Sequence, residues 1–180
     1  MTPSLTTQVI VAGAGPVGLV AALILAKAGV DVVVLEKRAA LTAASKASTF
    51  HPATLEILDE LGVLAPMLAE GEIVKRIQYR TPDGPFAEFV LADLAERTPF
   101  PFRLHLEQAR LTPLLLAQIE AHPNARVLFG AGFEAVTQDE NGVTVTADRD
   151  GEKLTIAADY LLGTDGARST VREALGIAFD

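Results

Sequence analysis

The chain has 180 residues, 49% of them hydrophobic and 21% charged, so it can bury a core as one domain, or one domain plus a small excursion. Fifteen basic against 23 acidic residues leave a net charge of −8, which argues against nucleic acid and anionic membrane as main partners. The absence of cysteine excludes disulfides, thiolate metal sites and redox-active cysteine pairs.

No basic stretch precedes the first apolar run, so no signal peptide is expected. The apolar stretch over residues 9–30 is interrupted by Gly13, Gly15, Pro16, Gly18 and Lys27, and it divides into strand, turn and helix instead of a membrane span. A soluble, cytoplasmic protein with no membrane partner is expected. Residues 8–12 (QVIVA) form a continuous β-branched run, the pattern of a strand buried on both faces of a parallel sheet. Residues 13–18 are the turn, residues 17–28 a helix rich in Ala and Leu, and Gly29 its stop. Residues 31–35 (DVVVL) are a second buried strand ending at Glu36, which completes a βαβ unit.

A loop of small polar residues follows over 39–49, and Pro52 then opens a helix that ends before Gly62. Residues 72–102 change character. Ile73, Ile77 and Tyr79 suggest one strand, residues 81–85 a turn and residues 86–90 a returning strand. Phe86, Phe89, Phe100 and Phe102 cluster here, and packing inside this excursion is their expected role. The next helix starts at Gln108 or Thr112 and stops near His122-Pro123-Asn124. A short strand at 126–129 leads to three strands at 133–137, 142–147 and 153–157, with strong hairpin chemistry at Asn141-Gly142 and Asp150-Gly151. Residues 160–162 return as a buried strand, and a last helix follows with capping-box spacing at Thr170 and Glu173 and an end at Gly176. Three segments result: 1–71, 72–104 and 105–180.

Two motifs carry chemistry. Gly13-Ala14-Gly15-Pro16-Val17-Gly18 is a GxGxxG: Gly13 permits the tight turn, Gly15 lets the backbone approach a pyrophosphate, and Gly18 lets helix and strand pack closely. The pattern alone is weak. Here it follows a strand, opens a helix, and Glu36 comes 18 residues after Gly18 at a strand end, where a carboxylate can accept both ribose hydroxyls of an adenosine and would repel a 2′-phosphate. Lys37 and Arg38 lie beside it. The second motif is Gly163-Thr164-Asp165-Gly166-Ala167-Arg168-Ser169, directly before a helix. His51, His105 and His122 are scattered with no ligand spacing, so no metal site is expected.

In this order, the two motifs and the strands between them resemble the class A flavoprotein monooxygenases, the p-hydroxybenzoate hydroxylase and phenol hydroxylase group, over essentially the whole chain. The resemblance implies an α/β Rossmann-like FAD-binding fold with a parallel sheet, an inserted β-meander and a partial β-rich substrate-domain excursion. It implies that Gly13, Ala14, Gly15, Pro16, Val17 and Gly18 hold the ADP part of FAD, with Glu36 on its ribose and Lys37 nearby. Asp165 and Gly166 would lie on the flavin side, and Gln108 near the ribityl chain. Lys46 stands where the family usually supplies an arginine, keeping the charge but losing the bidentate fork.

The implied activity is FAD-dependent hydroxylation of an aromatic substrate with O₂ and NADH or NADPH. The flavin carries the chemistry, and no catalytic side chain is assigned. Glu36 does not choose between NADH and NADPH, because the site it serves belongs to FAD. A homodimer is compatible with this reading. The later Gly-Asp motif and most of the substrate sheet of the family lie outside these residues, so an incomplete isoalloxazine pocket and weak FAD binding are expected of the chain alone. Two alternatives remain: another FAD oxidoreductase of the same fold, such as a halogenase or reductase, and a non-catalytic nucleotide-binding module.

Overall fold

A computed structural model describes residues 4–44 and 47–179. Strands β1 (Ser4–Thr6) and β2 (Val9–Ala12) lead into helix α1 (Pro16–Lys27). Proline at the first helical position has no N–H to leave unpaired, and Gly29, at φ +80°, turns the chain out of the helix. Strand β3 (Val32–Glu36) is buried along its whole length, as is β2. The next elements are β4 (Thr49–Phe50), α2 (Pro52–Glu60), α3 (Leu64–Glu70), β5 (Glu72–Val74), β6 (Arg76–Thr81) and β7 (Gly84–Val90). After one 3₁₀ turn at Leu91–Leu94 come β8 (Arg103–His105) and α4 (Gln108–Glu120). The chain closes with β9 (Ala125–Phe129), β10 (Ala131–Asp139), β11 (Gly142–Arg149), β12 (Glu152–Ala158), β13 (Tyr160–Gly163) and α5 (Thr170–Ala174).

The chain divides into two compact units, residues 1–43 with 112–180, and residues 44–111. In the first, a parallel sheet runs in the order β13-β2-β3-β9, and a second sheet runs β1-β12-β11-β10. The second is an antiparallel meander with β1 added parallel to β12. Ile10, Val33 and Leu35 from the parallel sheet pack against Val145, Ala147, Leu154 and Ile156 of the meander, while α1 lies against β2 and β3. The two inner strands β2 and β3 are covered on both sides in this way, and that is why they read as unbroken apolar runs.

The second unit holds a three-stranded sheet, β4-β8-β5, and the two-stranded ribbon β6-β7. The single strand expected around Ile73 to Tyr79 is therefore two. β5 pairs with β8, and after Lys75 the chain enters the ribbon as β6. The aromatic side chains of the ribbon are not packed inside it, contrary to expectation. Tyr79 is 55% exposed, Phe86 69% and Phe89 55%, because two strands have no second layer to cover them. Of the two starts considered for α4, Gln108 is the observed one, which puts Pro113 inside the helix and not at its first position. Among the described residues, no helix is long and apolar enough to cross a membrane.

Candidate functional site

The parallel pairing of β13 with β2 sets Gly163 beside Ala12, so the turn after each strand opens at the same edge of the sheet. That register brings two motifs together that are 150 residues apart in sequence. Gly13 adopts φ +105°, and its N–H donates to the Leu35 carbonyl at 2.7 Å. A side chain there would be strained by φ alone and would also meet the Thr164 carbonyl at 2.8 Å. Gly15 is the N-cap of α1 and supplies no side-chain cap, so the first N–H groups of the helix have no intrahelical or capping acceptor. A Cβ on Gly15 would meet nothing within 4 Å, which leaves its backbone open to an incoming group. A Cβ on Gly18 would lie 2.0 Å from the Gly13 carbonyl, so the turn closes on its own helix only with glycine there. Pro16 starts the helix, Ala14 is buried, and Val17 points outward with 67% exposure.

Glu36 is buried at the end of β3. Its Oε2 accepts the Ala14 N–H at 3.0 Å, and its Oε1 accepts the Arg38 N–H at 3.0 Å with the Arg38 guanidinium at 3.4 Å. Oε1 takes both of its bonds from Arg38, whereas Oε2 takes one and keeps a second lone pair, so these bonds orient the group and still leave it able to accept from a ligand. Lys37, Arg38 and Arg168 line the same cleft as Gly13, Glu36 and Asp165. The cleft thus sets Gly13, at the start of the turn that leads into α1, beside a buried carboxylate and three cations, a set that suits an anionic phosphate next to a sugar diol.

Asp165 has a heavily used side chain. Its Oδ2 accepts the N–H groups of Thr170 at 2.7 Å and Val171 at 3.2 Å, and its Oδ1 accepts the Ser169 hydroxyl. Gly166 follows at φ +92°. The capping-box spacing of Thr170 and Glu173 is not what starts α5: Ser169 is the N-cap and accepts the Arg172 N–H at 2.9 Å, while the Thr170 N–H is already taken by Asp165. Gln108 is the first residue of α4 and belongs to the unit of residues 44–111, where its N–H donates to the Ala47 carbonyl at 2.9 Å. Lys46 lies outside the described residues.

Two residues of the second motif were given no role by the sequence. Arg168 lines the cleft, and Thr164 donates its hydroxyl to the Ala12 carbonyl at 2.8 Å. Neither has a spacing signal of its own. Only the β13–β2 register reveals where Thr164 sits.

The FAD-binding domain family matches residues 6–180 of the chain. The para-nitrophenol 4-monooxygenase of Pseudomonas sp. strain WBC-3 is 34% identical over 173 residues, which is 96% of this chain and 43% of that protein. The crystal structure of p-nitrophenol 4-monooxygenase PnpA from Pseudomonas putida DLL-E4 superposes with a TM-score of 0.91 at 33% identity, covering 99% of this chain and 45% of that one. The flavin-dependent monooxygenase PieE, solved in complex with FAD and substrate, gives 0.88 at 28% identity over 99% of this chain and 33% of its own. The chain therefore spans less than half the length of these relatives, and with almost its whole length matched it belongs to the FAD-binding domain family.

Proposed function

We propose that the chain is the FAD-binding portion of an NAD(P)H-dependent flavoprotein monooxygenase that hydroxylates an aromatic substrate with O₂. The observation that carries the reading is the shared cleft of the glycine turn, Glu36 and Asp165. In this reading the uncapped N–H groups of Val17 and Gly18 in the first turn of α1 hold the pyrophosphate, with the helix dipole adding attraction. Gly15 allows the close approach. Glu36, fixed by Ala14 and Arg38, accepts the adenosine ribose hydroxyls, and Lys37 offsets phosphate charge at the rim. Asp165 shapes the Gly166 turn on the flavin side by holding the start of α5. Gln108 and Lys46 are the remaining candidates for contacts to the ribityl and phosphate groups.

Bound FAD would supply the redox chemistry, taking reducing equivalents from a nicotinamide and delivering them to O₂. The residues described here bind and orient it. Their arrangement supports FAD over a 2′-phosphorylated dinucleotide, because the buried Glu36 carboxylate would face the extra phosphate. Use of a nicotinamide co-substrate fits a cytoplasmic location. The aromatic substrate class rests on the matched monooxygenases, and p-nitrophenol heads the panel to be tried.

Thermal shift and fluorescence titration test the cofactor reading directly. FAD and ADP are expected to raise the melting temperature of the chain, and NADP⁺ is not. Equal protection by NADP⁺, or none by FAD, would overturn it. For the FAD-loaded protein containing this chain, hydroxylated product from a phenol with NADH or NADPH supports the monooxygenase. Halogenated or reduced product in its place would replace it with another flavin oxidoreductase.

A further inference from the structure

We infer that Thr164 is a positioning residue for FAD, joining the glycine turn to the Asp-Gly turn so that both present one binding surface. The inference rests on the FAD reading above. Thr164 reaches the end of β2 and the glycine motif in three ways. Its hydroxyl donates to the Ala12 carbonyl at 2.8 Å and lies 3.3 Å from the Gly13 carbonyl, and its N–H donates to the same Ala12 carbonyl at 3.0 Å. Its own carbonyl sits 2.8 Å from where a Cβ on Gly13 would be, and its hydroxyl oxygen 2.6 Å from where a Cβ on Gly18 would be. The end of β2, the turn and the first turn of α1 all meet at this one side chain.

Its neighbour carries the link onward. Asp165 holds the N–H groups of Thr170 and Val171, so the start of α5 is fixed relative to the glycine turn through two consecutive residues. A dinucleotide that contacts both turns needs them at a set separation. Any freedom between them must be lost on binding, and that loss weakens affinity. The hydroxyl of Thr164 removes the freedom beforehand without touching the ligand. The Thr164 N–H bond to Ala12 remains in any side-chain variant, so β13 stays registered on β2 when the hydroxyl is deleted.

The test compares Thr164→Val and Thr164→Ala, which lack the hydroxyl, with Thr164→Ser, which keeps it. Ile156→Val serves as a core variant outside the lining of the cleft. Each purified chain is titrated with FAD, with a melting curve alongside. Loss of one pre-formed hydrogen bond should weaken FAD binding about tenfold in the Val and Ala variants, with Ser within about twofold of the parent. Ile156→Val should lower the melting temperature and leave FAD affinity in place. Unchanged affinity in both hydroxyl-less variants, no rescue by Ser, or an equal loss in Ile156→Val would overturn the inference while leaving the FAD site standing. A parent chain that binds no FAD would remove the FAD reading and this inference together.

Discussion

Gly15 and Gly18 sit three residues apart in one turn, yet a methyl group added to each meets different surroundings. At Gly18 it would collide with the Gly13 carbonyl at 2.0 Å, and backbone cannot rotate away as a side chain can. Gly18→Ala should therefore destabilise the free chain by roughly 3 kcal/mol, read from a denaturant midpoint. At Gly15 the methyl would enter open space, and the φ of −73° there suits alanine. Gly15→Ala should leave the free chain within about 0.5 kcal/mol of the parent. It should weaken FAD binding about tenfold, because the methyl would occupy the approach of the pyrophosphate. If both alanine variants lost stability equally, or Gly15→Ala bound FAD normally, these assigned roles would be wrong. Glu36 makes the complementary point: two backbone N–H groups aim its carboxylate before any ligand arrives.

Element ends show how far local signals reach. Ser169, not Thr170, caps α5, because the Asp165 carboxylate has taken the Thr170 N–H. Ser169→Ala should cost about 1 kcal/mol by urea denaturation and Thr170→Ala much less; the reverse order would restore the Thr170 cap. Both residues have cap chemistry, and a contact five residues back decides between them, so spacing could not. The elements that were legible carry their signals at their own ends. Pro16 and Gly29 bracket α1, and Asn141-Gly142 and Asp150-Gly151 mark the two meander turns. Those that were missed depend on distant partners or lack caps. β1 has three residues and pairs with β12 near residue 155, while α3 begins without a side-chain cap and carries Pro66 in its first turn. The same division holds in the candidate site. Gly13 and Glu36 announce themselves by spacing from nearby strands and turns and Asp165 through the resemblance its motif carries, whereas Thr164 and Arg168 acquire a place only when β13 lies beside β2.

At the scale of the whole molecule, the ribbon β6-β7 has two unlike faces. One carries a polar ladder in which Arg76 pairs with Glu88 at 3.1 Å and Arg80 donates to Gln78 at 2.8 Å. The other gathers Tyr79 with Phe86 and Phe89 at ring separations of 6.1 and 5.9 Å, all three largely exposed. Exposed aromatic clusters of this kind drive association when nothing covers them. The net charge of −8 opposes it through repulsion between like molecules, and salt screens that repulsion. The chain should therefore self-associate with rising concentration, and more strongly at high ionic strength, as sedimentation velocity would show. Replacing Phe86 and Phe89 together by serine should abolish the salt-promoted association and change folding stability by only about 0.5 kcal/mol, since neither ring is buried. A double variant that associates as the parent does would place the sticky surface elsewhere. The exposed Val17 and Ile24 on α1, or Tyr160 on the edge strand β13, would then be the faces to change next.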